Sequence, residues 1–377
     1  MIPFNKPSIS KKEEKYVIDA LKSQKICGDN KYTKLVNEKF KEMFNLRGLV
    51  VTSCSTALDM SAILSKFKEG DEVICPSFTF VSTADAFVLR GATPVFAEID
   101  PKTMNIDPDK IEELITPKTK GIYVVHYAGV ACDMDKIMAI AKKHKLIVVE
   151  DAAQAVGSYY KGKLLGTIGD YGCYSFHETK NIVMGEGGLL IVKDDDTFEL
   201  AEMIREKGTN RKQFLNGFVD KYTWKVPGSS FLPSDVLSAI LYAQLERFDE
   251  IQNKRLKVWN RYYKSFKKYE KKGLVQLQYI PEYATNNAHM FFMILRTNEE
   301  RDQFIKFMKQ YEISTPFHYV PLHLSDVGAS FGYKKGDLPL TEEYSSRLVR
   351  LPLYADMTSK EVSLVIEKVK EYFDSKK

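Results

Sequence analysis

Lys180 lies in the run YSFHETKNIVMGEGG, between a strand-like segment and a glycine cluster, and Asp151 ends the run LIVVED. Taken singly, a loop lysine is a solvated charge and an aspartate after a strand is a turn cap. Together they are the two charges that a pyridine aldehyde requires, one at each end of its ring. A lysine amine condenses with an aldehyde and, once freed, moves protons on a substrate carbon. A buried carboxylate beside the ring nitrogen keeps that nitrogen protonated, which is the condition for the ring to act as an electron sink. The pair therefore points to pyridoxal phosphate.

A phosphate needs donors, and TSCSTALDM offers Ser55 and Thr56 in a turn that runs straight into a helix, where free amides form an anion cradle. Alone, that segment is an ordinary N-cap. SFTFVST adds Phe80 at another strand end, where its ring could stack on a flat cofactor or simply fill a core. Nucleotide motifs of other kinds are missing: there is no GxxxxGK[ST], and GEGG is not GxGxxG.

Positioning these residues falls to a series of short apolar runs, GLVVTS, EVICPS, TPVFAEID, GIYVVHY, LIVVED, YGCYSF and LLIVK. Several are hydrophobic without alternation, as strands buried on both faces are. Helix-like segments such as TALDMSAILSKFKEG and DMDKIMAIAKKHK lie between them, so the expected fold is α/β with a mainly parallel seven-stranded sheet. Ligands of such sheets bind at the carboxyl ends of the strands, which selects Ser53 to Thr56, Pro76 to Phe80, His126, Asp151 to Gln154 and Ser175 to Lys180. After about Val236 the pattern becomes one long helical stretch, then strand-like HMFFMILR and helical RDQFIKFMKQY. Two domains are expected, a large one over 1–245 and a smaller α+β one over 246–377.

The balance of 55 basic and 50 acidic residues, net +5, falls short of a nucleic-acid-binding signature. Five cysteines with no CxxC pair suggest neither a disulfide framework nor a zinc ribbon, and no metal site is expected. MIPFNKPSISKKEEKYV lacks an apolar signal core and no run of 18 apolar residues occurs, so the expectation is a cytoplasmic protein with no membrane partner.

SFHETKN followed by GEGG, with EDAAQAVGS upstream, PSFTFVSTADAF before that and HYVPLH near the C-terminal end, resembles the DegT/DnrJ/EryC1/StrS family of sugar aminotransferases. The similarity covers essentially the whole chain. More closely, MIPFNKP, CGDNKYTK, FVLRGA, TMNID, VHYAGVACDMD, REKGTNR, DKYTW and NAHMFF resemble the branch that makes dTDP-4-amino-4,6-dideoxygalactose for surface polysaccharides. The resemblance implies an aspartate-aminotransferase-like fold of type I, a homodimer with sites at the subunit interface, and L-glutamate and a dTDP-4-keto-6-deoxyhexose as substrates. It implies Lys180 as the cofactor lysine, Asp151 as the ring-nitrogen partner, Gln154 as a polar neighbour of the ring, Phe80 as the stacking aromatic and Ser175 as a phosphate serine. The family's Gly-Thr pair in the phosphate turn is Cys54-Ser55, so the hydroxyl survives and the glycine does not. In GSSFLPSD, Leu232 holds the place of an asparagine that reaches the neighbouring subunit's phosphate, which leaves Ser229 and Ser230 as substitutes.

His318 and His323 of HYVPLH fall where the family builds part of its sugar pocket, although either could be bonded to backbone. Lys207 and Arg211 of REKGTNR offer the cations that a nucleotide diphosphate needs, or form a surface pair. Three other readings keep the same cofactor residues: a sugar aminotransferase making the gluco epimer or acting at C3, a cofactor-binding regulator, and a 3-dehydrase. The last goes with histidine in place of the lysine, and position 180 is lysine.

Overall fold

The computed structural model describes residues 1–376. All seven expected runs are strands: β1 (Gly48–Val51), β2 (Glu72–Pro76), β3 (Thr93–Ala97), β4 (Thr119–Val125), β5 (Ile147–Asp151), β8 (Tyr171–Ser175) and β9 (Gly188–Val192), with a small ribbon, β6 (Tyr159–Tyr160) and β7 (Lys163–Leu164), between β5 and β8. The seven form one sheet in the order β1-β9-β8-β5-β4-β2-β3. Neighbours from β8 to β3 are parallel, whereas β9 is antiparallel to both β1 and β8. Alternate residues enter separate cores. Val50, Ile74, Val124 and Val148 face one side, and Leu49, Val73, Tyr123 and Val149 the other. Both faces are dry, which is why the runs read as continuously apolar.

Because β9 runs against its neighbours, its first residue meets their last ones. Gly188 is paired with Val51 of β1 and with Ser175 of β8. The ends of two strands far apart in sequence are thereby brought to one point on the carboxyl edge.

Helices α1 (Lys11–Lys22) and α2 (Lys31–Phe44) pack against α8 (Asp235–Glu246). The α2 N-cap, Asn30, makes no side-chain cap, and buried Asp235 replaces it, accepting from the Tyr32 amide at 2.9 Å and from the Thr33 amide and hydroxyl at 2.8 Å each. The long helical stretch expected after Val236 is two helices, α8 and α9 (Phe248–Lys271), meeting at Arg247. Phe248 and Ile251 of α9 enter the large core, while Val258 to Tyr269 enter the small one, so a single helix spans the two domains. The small domain is a three-stranded antiparallel sheet of β10 (Val275–Leu277), β11 (Phe291–Leu295) and β12 (Leu348–Leu351). Ile2 joins its core and bridges Ile313, so the chain's first residues belong spatially to that domain.

β5 is held by Glu150, whose side chain has no exposure. His126 Nδ1 accepts from the Cys132 amide at 3.2 Å, which places the proton on Nε2, and that N–H donates to Glu150 at 2.8 Å. The other donors are the amides of Gly166 at 2.8 Å and of Ile168 and Gly169 at 2.6 Å each. Burial opposes the charge, but the hydrogen bonds from His126 and from those glycine amides outweigh it, and the Glu150 pKa lies below the ordinary value. This contribution to stability is present above the unfolded carboxylate pKa and is lost as pH falls through the folded one. Glu150→Gln turns one acceptor into a donor facing donors. The expected loss is about 3 kcal/mol of unfolding free energy, read from the urea midpoint at neutral pH; a change within about 0.5 kcal/mol, the range of a neutral surface substitution, would show that Glu150 is not the latch.

Candidate active site

The turn from β1 into α3 (Cys54–Leu64) is a reciprocal cap. Ser53 Oγ accepts from the Thr56 amide at 3.0 Å, and Thr56 Oγ1 accepts from the Ser53 amide at 3.0 Å while donating to the Ser53 carbonyl at 2.8 Å. Thr56, expected as a phosphate ligand, therefore commits its hydroxyl to the cap. Among the described residues Ser55 holds only Ser82, at 2.7 Å, and its hydroxyl and the first amides of α3 form the mouth of the turn. Ser175, buried at the end of β8, is brought beside this mouth by the Gly188 register. A Cβ on Gly188 would lie 2.5 Å from the Ser53 carbonyl carbon and oxygen and 2.6 Å from the Cys54 nitrogen. The last glycine of GEGG is thus required by backbone meeting backbone, in a cradle that a side chain would fill.

Lys180 opens onto this edge. Desolvation lowers its pKa, Cys54 and Asp151 pull it back up, and Arg350 lowers it further. No salt bridge engages its Nζ among the described residues. Its neighbour Asn181 anchors it in a knot between the domains. Asn181 Nδ2 donates to Gln252 Oε1 and to the Asn287 carbonyl at 2.8 Å each, and Oδ1 meets His289 Nδ1 at 2.9 Å. Asn287 in turn donates to the Gln154 carbonyl at 2.8 Å.

Asp151 is 6% exposed and accepts from Thr83 Oγ1 at 2.7 Å on one oxygen and from the Ala153 amide at 3.1 Å on the other. Each oxygen keeps a further acceptor site, the capacity that a ring N–H requires. Gln154 is committed at both ends, accepting from the Ala128 amide at 2.6 Å and donating to Tyr319 at 3.1 Å. Phe80 is 57% exposed, unusual for a phenylalanine in a sheet-edge loop, and approaches Tyr319 at 6.4 Å between ring centroids.

The opposite wall comes from the small domain. His318 Nδ1 lies 3.1 Å from Tyr127 Oη, and burial together with the Arg350 and Lys180 charges pushes its pKa well below the ordinary value, so its ring is neutral. His323 is different. It is fully buried, with Nδ1 2.7 Å from Ser77 Oγ and Nε2 3.0 Å from Glu342, a structural tie with no face left for a substrate. Arg350, which sequence reasoning passed over, stands among these groups; the signal was a lone arginine in the apolar run LVRLPL.

The remaining expected residues lie elsewhere. A cavity of about 1300 Å³ is lined by Lys207, Arg211 and Ser230 and by none of Lys180, Asp151, Ser175 or Phe80. Lys207 and Arg211 both reach Glu206, at 2.8 Å and 3.4 Å, so neither is a free cation. Ser229 and Ser230 are exposed, and the loop is tied to its own chain by backbone bonds, Lys207 amide to Ser229 carbonyl at 2.9 Å and Thr52 amide to Phe231 carbonyl at 2.9 Å. At the sheet edge an uncommitted amine, a buried carboxylate with spare acceptors and a phosphate-sized cradle converge. The donor set fits pyridoxal phosphate.

Comparison with known proteins agrees. The profile of the DegT/DnrJ/EryC1/StrS aminotransferase family matches residues 7–370. Spore coat polysaccharide biosynthesis protein SpsC of Bacillus subtilis (strain 168) is 35% identical over 98% of this chain and 96% of its own. GDP-perosamine synthase of Escherichia coli O157:H7 is 30% identical over 100% and 99%. Spr1654 of Streptococcus pneumoniae, solved in its PLP form, is 25% identical, covers 99% of each chain and superposes with a TM-score of 0.91. With its type I fold and its pyridoxal phosphate cofactor, the chain belongs to the DegT/DnrJ/EryC1/StrS aminotransferase family.

Proposed function

We propose that the protein transfers the amino group of L-glutamate to C4 of dTDP-4-keto-6-deoxy-D-glucose, giving dTDP-4-amino-4,6-dideoxy-D-galactose and 2-oxoglutarate. The product would serve surface polysaccharides of the enterobacterial common antigen or O-antigen type, made in the cytoplasm. What carries this reading is the ordered set of motif runs, from MIPFNKP to NAHMFF, on a chain that holds Lys180 and Asp151 at one sheet edge. A GDP-linked 4-keto sugar is the second reading, favoured by the similarity to GDP-perosamine synthase.

Bound pyridoxal phosphate supplies the electron sink. Asp151 holds the proton at the ring nitrogen, and Thr83, donating to it at 2.7 Å, orients that carboxylate. Lys180, whose desolvation favours the neutral amine, would hold the cofactor and, when free, would carry the proton to and from the substrate carbon. Ser55, Ser175 and the first amides of α3 would take the phosphate, and Phe80 would cover the ring. His318 lines the sugar side as a neutral hydrogen-bonding group. Lys207 and Arg211 would reach a diphosphate only by sharing it with Glu206. Ser229 and Ser230 would serve the partner subunit of a homodimer.

Incubation with glutamate and dTDP-4-keto-6-deoxyglucose should yield an amino sugar whose ring proton couplings report an axial C4 amine; equatorial couplings, or turnover only with the GDP-linked substrate, would replace this assignment. Asp151→Asn should retain cofactor but lose transamination on the order of a hundredfold or more, since an amide cannot keep the ring nitrogen protonated. Near-normal turnover would leave Asp151 a turn cap. For the shared site, an inactive Lys180→Ala chain mixed with an inactive chain altered at Ser229 and Ser230 should recover about a quarter of normal activity, because about half the re-paired dimers are mixed and each has one intact site. No recovery despite proven subunit exchange would assign the loop to its own subunit's site.

A further inference from the structure

The charge of the chain is not spread evenly. Of the 55 basic and 50 acidic residues, α9 holds eight and three, so the rest of the chain carries 47 of each and is balanced. The whole net charge of +5 is therefore the excess of one helix. Beyond its first turn, where Asp249 and Glu250 lie, the exposed positions Asn253, Lys257, Asn260, Lys264, Lys267 and Lys271 recur at spacings of four and three. That spacing sets them in one stripe about 27 Å long. The opposite face, with Val258, Tyr262, Phe266 and Tyr269, is buried in the small-domain core.

No acid of the helix interrupts the stripe. Glu270, the third acid of α9, lies off it and accepts from the Leu277 amide at 2.9 Å. Among the described residues the only α9 lysine in a salt bridge is Lys254, with Glu250 at 2.7 Å and Asp356 at 3.0 Å. Beside the stripe, α9 and the helix Ser359–Asp374 enclose a groove of about 460 Å³ whose lining sets Arg261, Lys264 and Lys370 against a single acid, Glu367. Glu367 is already engaged by Lys368 at 3.1 Å. The Arg261 guanidinium is fixed by hydroxyls, Ser359 at 3.2 Å and Ser363 at 2.9 Å, so its charge is held in place without being neutralised.

We propose that this face of the small domain docks on an anionic phospholipid surface, with headgroup phosphates along the stripe and in the groove beside Arg261. Three observations select that partner. The stripe is built of lysines, flexible point charges that suit a diffuse array of anions, whereas recognition of one planar acid favours arginine forks. Among the described residues, none of the large exposed apolar side chains lies on either helix, so the apolar centre of a protein–protein interface is missing, while electrostatic adsorption to lipid needs none. For the same reason the stripe offers no exposed aromatic on which the bases of a single strand could stack. No helix among the described residues is long and apolar enough to cross a membrane, and the contact is one of surface charge. It uses none of the residues at the sheet edge and is independent of the substrate.

The test is sedimentation of the holoenzyme with vesicles of phosphatidylcholine alone, or with about a third of that lipid replaced by phosphatidylglycerol, at about 50 mM salt. Binding is expected with the anionic vesicles only, and release at about 0.5 M salt, where each charge is screened within a few ångströms. A lysine near such a surface changes the partition by about fivefold, so the combined variant Lys257→Gln, Lys264→Gln, Lys267→Gln, Lys271→Gln should bind on the order of a hundredfold or more weaker. Glutamine keeps the helix propensity, and an unchanged urea midpoint checks the fold. A variant of equal net charge, Lys102→Gln, Lys118→Gln, Lys120→Gln, Lys142→Gln, altered at exposed positions of the large domain, should bind normally. Equal loss in the two variants reduces the effect to net charge and overturns the proposal. So does a lack of binding to anionic vesicles at low salt, or equal binding to neutral ones. A nucleic-acid duplex bound more tightly than the anionic vesicles overturns it as well, by assigning the stripe to a different polyanion.

Discussion

A carboxylate sealed inside the sheet, Glu150, collects four donors from two separate segments: the His126 ring after β4, and the Gly166, Ile168 and Gly169 amides ahead of β8. Buried charge is tolerated only when its lone pairs are filled, and here they are, so the pieces that fill them cannot drift. The consequence is felt one residue on. Asp151 emerges from β5 at a fixed point on the carboxyl edge, with the His126 amide bonded to its carbonyl at 3.1 Å. Pairing of β5 with β8 then sets the strand that ends at Ser175.

Around that edge the electrostatics are asymmetric. Asp151 is a carboxylate with spare acceptors, while Lys180 and Arg350 are basic groups in an environment that disfavours their charge, beside the neutral imidazoles of His289 and His318. Burial alone disfavours charge on the lysine, which suits an amine that must act as a nucleophile and then as a proton carrier. Arg350 adds to that pressure.

The domains are joined through the same residues that frame the chemistry. Asn181 follows Lys180 and is bonded to the small-domain segment at Asn287 and His289, and Arg255 of α9 closes the knot through the Ala288 and His289 carbonyls. Gly129, at φ +78°, lets Asn287 approach, since a Cβ there would lie 2.0 Å from Asn287 Oδ1. The lysine is thus held by side-chain amides instead of by a regular element, and its loop can be irregular yet fixed.

The sequence by itself determined the seven strands, because strands buried on both faces must be apolar throughout, a pattern the seven runs share with HMFFMILR of the smaller sheet. It also marked Lys180 and Asp151, since a ring cofactor needs an amine and a carboxylate and both follow strand-like runs. Only the tertiary structure decided how the nearby polar residues are used. Ser53, Ser55 and Thr56 have interchangeable hydroxyls in a sequence, yet a local hydrogen-bonding contest commits Thr56 to the cap and leaves Ser55 at the mouth. His318 and His323 are five residues apart with opposite fates, one beside the cleft and one locked between Ser77 and Glu342, because the chain turns into the protein between them. Arg350 reads as one more basic residue, and only the packing shows that among the described residues it makes no salt bridge and donates instead to the Phe317 carbonyl. Burial and partnership belong to pairs of residues distant in the chain, and no local pattern encodes them.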